Sequence, residues 1–152
     1  MPRAYIGLGS NLGDREETIR AGLAALEEAG VAVIAVSTLV DTEPVGVVDQ
    51  PRFLNGVAAV DAALSARELL AVLLDVERRF GRRREDAVPH GPRTLDLDLL
   101  VYGDYEIDEP GLHVPHPRLH EREFVLGPLE EVAPGLEVPG KGTVQTMRAR
   151  LH

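Results

Sequence analysis

The sequence predicts an α+β fold in which an antiparallel sheet carries helices on one face and a C-terminal extension follows. Two observations support this prediction: strand-like and helix-like segments alternate in the order β-α-β-β-α-β, and the remainder is irregular and rich in proline. This order is that of the split β-α-β, or ferredoxin-like, core. The length of 152 residues is that of one domain, so we expect residues 1–152 to form a single domain.

The first half of the chain is predicted to supply strand, helix and strand. Residues 4–9 have the composition of a short buried strand that runs into a glycine turn. Asp14 follows as the expected helix N-cap, and apolar residues at helical spacing continue the helix to Gly30. Residues 31–40 are rich in β-branched residues and predict the second strand.

The second half of the predicted core repeats this order. Residues 53–61 have strand character, and Ser65 with Glu68 predicts a capping box. A helix is expected from Ala66 to about Phe80, and residues 94–102 predict the fourth strand.

Two long loops and the C-terminal extension complete the predicted chain. The loops 41–52 and 82–93 precede the third and fourth strands, and loops of such length are often functional. In the extension we expect only short helices, near residues 121–126 and 143–150.

The composition excludes several classes of protein. The chain has no cysteine, which excludes a disulfide scaffold, a cysteine-ligated zinc and a thiolate nucleophile and is compatible with the cytoplasm, our expected location. No run approaches about 20 consecutive apolar residues, so we expect no membrane span. The net charge of −9 argues against nucleic-acid binding.

Asp96 and Asp98 are candidate magnesium ligands. Residues two apart in a strand point to the same side, so both carboxylates face outward while Leu95, Leu97 and Leu99 face the core. Carboxylate oxygens are preferred ligands of Mg²⁺, and substrate phosphates fill its other positions. The alternative is a solvated polar face of an edge strand.

Arginines crowd into one stretch: Arg78, Arg79, Arg82, Arg83, Arg84 and Arg93. Such a patch suits a compact polyanion such as a nucleoside triphosphate, whose charge it would neutralise during transfer. Glycine and proline flank the loop, which is typical of a lid that closes on a ligand. The alternative is a solvent-exposed loop that only aids solubility.

A second polar cluster contains His113, His116, Arg118, His120 and Arg122. Prolines between the histidines disfavour a shared metal, so phosphate contacts are favoured over a metal site. An ordinary polar loop is the alternative.

Two further patterns are ambiguous by themselves. Residues 7–13 follow G-x-G-x-x-x-G, which differs from the dinucleotide fingerprint and also suits a tight turn. Phe53, Asn55 and Phe124 could hold a planar heterocycle, or the two phenylalanines could belong to the core.

These motifs together resemble one family. The run G-P-R-T-L-D-L-D-L-L at residues 91–100 is similar to the signature of the 6-hydroxymethyl-7,8-dihydropterin pyrophosphokinases of the folate pathway. Similar blocks lie at residues 5–13, 42–55 and 114–124, in the family's order, so the resemblance covers nearly the whole chain.

The resemblance implies transfer of pyrophosphate from Mg-ATP to the hydroxymethyl group of a reduced pterin, with release of AMP. It implies that two Mg²⁺ bind at Asp96 and Asp98. The residues that it implies for ATP are Glu77, Arg82, Arg84, Arg93, Leu99, His116 and Arg122. The residues that it implies for the pterin are Thr42, Val45, Phe53, Asn55 and Phe124.

The chain departs from the family pattern in its basic loop. Pro89 and His90 stand where the family usually has a basic residue and then an aromatic one. The loop is also a residue longer, so the choice among Arg82, Arg83 and Arg84 for the essential arginine stays open.

Two other functions are alternatives to this one. The rival enzyme is a small NADP-binding oxidoreductase that uses the glycine-rich turn, and the rival from another class is a non-catalytic ferredoxin-like ligand-binding module. The expected partners are ATP and the pterin, with no nucleic acid or membrane, and a monomer is favoured.

Overall fold

The computed structural model describes residues 2–11, 13–43, 52–80 and 95–152. The core elements are β1 (Arg3–Ser10), α1 (Arg15–Glu28), β2 (Ala32–Val36), β3 (Val40–Thr42), β4 (Phe53–Asp61), α2 (Ala66–Arg79) and β5 (Asp96–Tyr102). The elements that follow are β6 (Ile107–Glu109), β7 (Leu112–Val114), α3 (Glu123–Val132), β8 (Glu137–Val138), β9 (Gly142–Thr143) and α4 (Val144–Leu151).

Both predicted helix caps are confirmed. The Asp14 carboxylate accepts a hydrogen bond from the Glu17 N–H at 3.1 Å, and α1 begins at the next residue. Ser65 Oγ accepts from the Glu68 N–H at 3.1 Å, while Glu68 accepts from the Ser65 N–H at 2.9 Å. These bonds satisfy N–H groups that the first turn of each helix leaves without a partner.

The main sheet is antiparallel and has the order β2-β4-β1-β5, with β3 also paired to β4. The combination of helices with an antiparallel sheet is therefore as predicted. The long β4 strand, Phe53–Asp61, has the predicted bounds and pairs with both β2 and β3.

The prediction of one continuous strand over residues 31–40 is wrong, because the chain leaves the ladder after β2. Ser37 makes the break: its N–H donates to the Val57 carbonyl, and its Oγ accepts from the Val57 N–H, each at 2.9 Å. Thr38 then bonds Glu131 of α3 through its N–H and its hydroxyl. β3 begins at Val40 and takes up two residues that were predicted as loop.

The two core helices, α1 and α2, lie on one face of the sheet as predicted, but the extension adds a helix on the other face, which was not predicted. Ile6 and Leu8 of β1 belong to the core that α1 and α2 cover, whereas Tyr5 belongs to a second core with Leu126 and Leu129 of α3. The C-terminal extension is therefore a packed layer on the other face. Pro128 lies inside α3, which made this segment appear irregular in sequence.

The β6–β7 hairpin was not predicted, and it brings the chain back beside β5. Arg67 of α2 holds its turn by donating to Glu109 at 3.0 Å and to the Pro110 carbonyl at 3.1 Å. Across the described ranges, we find no helix with the length and apolar character needed to cross a membrane.

Candidate active site

Two cavities meet at Asp96 and Asp98, which line both of them. The first, of about 190 Å³, is called the phenylalanine cavity and is lined also by Gly7, Gly9, Thr42, Phe53, Asn55 and Phe124. The second, of about 310 Å³, is called the hairpin cavity and is lined also by Leu70, Leu74, Glu77, Gly111, His113 and His116.

Two glycines of β1 leave the space into which the aspartates project. In the ladder, Asp98 lies opposite Gly7 and Asp96 lies opposite Gly9. A Cβ on Gly9 would lie 3.1 Å from Asn55 Oδ1 and 3.8 Å from Asp96 Cβ, so a side chain there would enter the site. The glycine-rich segment thus forms the floor between the carboxylates and Asn55.

The predicted alternation along β5 is confirmed. Leu97 and Leu99 are 4% and 5% exposed and belong to the core beneath α1 and α2. Asp96 is partly exposed and Asp98 is exposed. The two carboxylates therefore lie on the same face of the strand. This arrangement is required if both are to bind metal at one site.

Glu77 fixes the position of the strand between the two aspartates. Its side chain is buried, with 4% exposed, and its carboxylate accepts a hydrogen bond from the Leu97 N–H at 2.8 Å. Leu97 is the residue between Asp96 and Asp98, so this bond connects the end of α2 directly to the peptide that carries both carboxylates.

His116 is held as a neutral hydrogen-bond donor. Its backbone N–H donates to the Leu100 carbonyl at 2.8 Å, and its ring Nδ1 accepts from the Arg118 N–H at 3.2 Å. Burial lowers the pKa of His116, and the Asp98 charge acts in the opposite direction. A neutral ring whose Nδ1 accepts carries its proton on Nε2, which is then a donor for a phosphate oxygen.

The phenylalanine cavity has an aromatic residue from each of two elements. Phe53 lies opposite Thr42 in the β3–β4 ladder, and Asn55 Nδ2 donates to Thr42 Oγ1 at 2.5 Å. Phe124 comes from the start of α3, and the guanidinium of Arg122 lies over its ring at 5.8 Å from the centroid. A planar ring with polar edges is complementary to this cavity, in which aromatic side chains can contact the ring faces and Asn55 can contact an edge.

Hydrogen bonds from two arginines connect Asp41 of β3 to α1 and to the residue before β4. Arg15 donates to one carboxylate oxygen of Asp41 at 3.0 Å, and Arg52 donates to the other at 2.7 Å. These hydrogen bonds, that of Arg15 first, lower the pKa of Asp41. Thr42, the next residue, is thereby held beside Asn55.

Comparison with known proteins decides the family. The family model of the 7,8-dihydro-6-hydroxymethylpterin-pyrophosphokinases, or HPPK, matches residues 5–134. This chain belongs to the HPPK family. Two relatives are named 2-amino-4-hydroxy-6-hydroxymethyldihydropteridine pyrophosphokinase. That of Pseudomonas aeruginosa is 46% identical over 90% of this chain and 84% of its own, and that of Bacillus subtilis is 46% identical over 88% and 80%.

Solved structures agree in fold. A triple mutant of Plasmodium falciparum HPPK-DHPS superposes with a TM-score of 0.76 over 98% of this chain, at 15% identity. At that identity the likeness shows the fold alone. The present chain spans 44% of the Plasmodium chain.

Membership of the HPPK family confirms the predicted family and the predicted enzyme class, an ATP-dependent diphosphokinase. The two rival functions, an NADP-binding oxidoreductase and a non-catalytic module, find no support in these comparisons.

The structure brings most predicted site residues to one of the two cavities. Around the phenylalanine cavity it places Thr42, Phe53, Asn55, Phe124 and also Arg122, which was predicted for ATP. Around the hairpin cavity it places Glu77, Leu99 and His116. Four predicted residues lie outside the described ranges: Val45, Arg82, Arg84 and Arg93.

The sequence placed His113 only in a polar cluster for which phosphate contacts were favoured, and the two floor glycines only in a turn that partly resembles a dinucleotide fingerprint. His113 belonged to an ambiguous polar cluster, and its place on the cavity depends on the β6–β7 hairpin. The available signal was the alternation of Leu112, His113 and Val114, which fits a short strand.

The two aspartates fit a magnesium site of the kind that HPPK enzymes use with ATP. Within residues 2–11, 13–43, 52–80 and 95–152, no group of three or more His, Asp or Glu side chains is placed to hold a metal. Mg²⁺ in nucleotide sites is commonly bound by one or two carboxylates, with phosphates and water completing its octahedron. The pair Asp96 and Asp98 meets that requirement.

Proposed function

We propose that this chain transfers the terminal pyrophosphoryl group of ATP to the hydroxyl of 6-hydroxymethyl-7,8-dihydropterin, giving the pterin diphosphate and AMP, in folate biosynthesis. The single observation that carries the assignment of substrates to sites is that the two cavities share Asp96 and Asp98. A group transferred between ligands of these cavities has to pass the two carboxylates.

The phenylalanine cavity is the proposed pterin site. A flat bicyclic ring would lie between Phe53 and Phe124, which supply apolar faces. The Asn55 amide, beside the ring edge, offers a donor and an acceptor. The backbones of Thr42 and Val45 are proposed to bind the same edge.

The hairpin cavity is the proposed ATP site. Leu70, Leu74 and Leu112 give it an apolar wall that suits a nucleoside, and His116 gives it a donor near Asp98. The triphosphate would then lie beside the aspartates. Arg82, Arg84 and Arg93 are proposed to contact it, together with Arg122, which lines the phenylalanine cavity with the same two aspartates.

Asp96 and Asp98 would hold two Mg²⁺, since two carboxylates on one face of a strand can serve as ligands to a pair of ions. Bound magnesium would offset the negative charge of the triphosphate. The protein's own contribution is positioning: Glu77 holds the strand, His116 Nε2 donates to a phosphate oxygen, and the pterin walls aim the hydroxyl at the β-phosphorus.

We further propose a fold class, a cellular location and an oligomeric state. The order β2-β4-β1-β5 and the antiparallel pairings support a ferredoxin-like core within one domain over residues 1–152. A cysteine-free composition supports a cytoplasmic location. We also propose a monomer that binds small molecules only.

Replacing Phe124 with Leu tests the pterin site. The apolar bulk that packs on the second core is kept, but the aromatic face is lost, so we expect the pterin KM to rise about 10-fold with little change in the ATP KM. Steady-state kinetics with each substrate varied in turn measures both constants. Tyr105→Leu, at an exposed aromatic outside both cavities, is the matched control. A rise in the ATP KM alone would show that the two cavities were assigned the wrong way round.

A further inference from the structure

The hairpin cavity has a second histidine that the proposed mechanism does not use. His113 of β7 lines this cavity, and its ring Nδ1 lies 2.7 Å from Asp108 Oδ1. The two residues are direct cross-strand partners in the β6–β7 ladder, so the ladder itself sets their separation. His113 is half-exposed and accessible to a ligand.

The bond to Asp108 determines what His113 offers. A carboxylate only accepts hydrogen bonds, so Nδ1 carries the proton, and in the neutral ring Nε2 is left as an acceptor. His116 on the same cavity has the opposite arrangement, because its Nδ1 accepts from the Arg118 N–H and its Nε2 donates. The cavity therefore has one histidine donor and one histidine acceptor.

We propose that His113 accepts a hydrogen bond through Nε2 from the nucleoside half of ATP, and that Asp108 is the positioning residue that fixes its tautomer. The inference rests on the proposed function, which puts ATP in the hairpin cavity. Phosphate oxygens at neutral pH are acceptors and are served by His116. The hydrogen-bond donors of ATP are the ribose hydroxyls and the 6-amino group of adenine. His113 Nε2, an acceptor that lines the hairpin cavity, is complementary to these groups.

The position of the β6–β7 hairpin, and so of His113, is fixed by hydrogen bonds from α2 and by core packing. Arg67 of α2 bonds Glu109 and the Pro110 carbonyl in its turn, at 3.0 and 3.1 Å. Leu112 and Val114, the neighbours of His113, are 3% exposed and belong to the core. The histidine therefore stands on a strand that is anchored on both sides of it.

Replacing His113 with Phe keeps the ring and removes the acceptor. At about pH 8.5 we expect the ATP KM to rise about 3- to 10-fold, as for loss of one hydrogen bond, with kcat and the pterin KM unchanged. His120→Phe is the control, because His120 bonds Lys141 at 3.2 Å and does not line the hairpin cavity.

Three ATP analogues distinguish the donors. The 2′-deoxy and 3′-deoxy analogues each remove one ribose hydroxyl, and purine riboside triphosphate removes the 6-amino group. The analogue that lacks the true donor should lose affinity with the wild type and lose nothing further with His113→Phe. If His113→Phe has the wild-type ATP KM, or discriminates between ATP and all three analogues as the wild type does, the inference is overturned.

Asp108 variants separate positioning from general damage to the hairpin. Asp108→Asn keeps an oxygen that accepts from Nδ1–H and should keep the wild-type ATP KM, whereas Asp108→Ala should raise it and weaken the discrimination between analogues. Equal effects of the two replacements would refute the positioning role. A wild type that forms no AMP from ATP and the pterin would instead refute the proposed function, which is a different result from an active wild type with an unaffected His113→Phe.

Discussion

Replacing Asp98 with Asn is expected to lower turnover by roughly 10³-fold or more, because one of the two proposed anionic ligands of magnesium is lost and charge stabilisation of several kcal/mol goes with it. Asp96→Asn should have an effect of the same order, since the two residues share one face of β5. Asn keeps the size of the side chain, so the strand and the phenylalanine cavity should be preserved. AMP formation at saturating substrates measures the effect, and a magnesium titration shows whether more metal restores activity.

The control for the aspartates is Asp104→Asn, which makes the same chemical change at an exposed turn just after β5. It should leave turnover and the magnesium requirement unchanged. If both Asp96→Asn and Asp98→Asn retained near-normal activity, the metal assignment would be refuted.

Replacing Leu126 with Ala is expected to lower the free energy of unfolding by about 2–5 kcal/mol, the cost of a cavity in a packed core. Leu126 is fully buried in α3, in the second core that includes Tyr5 and Val57 of the sheet. Urea unfolding followed by circular dichroism measures the change. The effect should be global, because α3 packs against the sheet as part of that core.

Leu151 provides the matched comparison, because it is 40% exposed near the end of α4. Leu151→Ala should change the free energy of unfolding by less than about 1 kcal/mol. A small effect of Leu126→Ala, similar to that of Leu151→Ala, would mean that the C-terminal layer is not part of the cooperative core.

Local features were predictable from the sequence because they depend on neighbours along the chain. The Asp14 cap and the Ser65 capping box use residues three positions apart. The outward direction of Asp96 and Asp98 follows from strand alternation. The sequence alone is therefore enough to predict which face of β5 carries the two candidate metal ligands.

Features set by distant residues were not predictable. The break after β2 depends on the bonds of Ser37 to Val57 and of Thr38 to Glu131, partners far along the chain. The second core depends on how α3 meets the sheet, and Pro128 obscured that helix in sequence. Hydrophobic patterns show that a face is buried but not which element buries it.

The candidate site also has features that the sequence predicts locally and features that depend on distant residues. The D-x-D pattern and the aromatics pointed to candidate ligands, but not to the two cavities that meet at the aspartates. That meeting depends on the register of β1 against β5, which places Gly7 and Gly9 opposite the carboxylates. The hydrogen-bonding state of His113 depends on Asp108, its partner across the folded hairpin, whereas that of His116 depends on the Arg118 N–H, two residues along the chain.

The identity of the nucleotide product shows whether the pterin hydroxyl attacks the β-phosphorus of ATP, the reaction proposed to take place at Asp96 and Asp98. The purified chain would be incubated with Mg-ATP and 6-hydroxymethyl-7,8-dihydropterin, and the products followed by ³¹P NMR and chromatography. We predict AMP and the pterin diphosphate in equal amounts. Formation of ADP with a pterin monophosphate would contradict the claim.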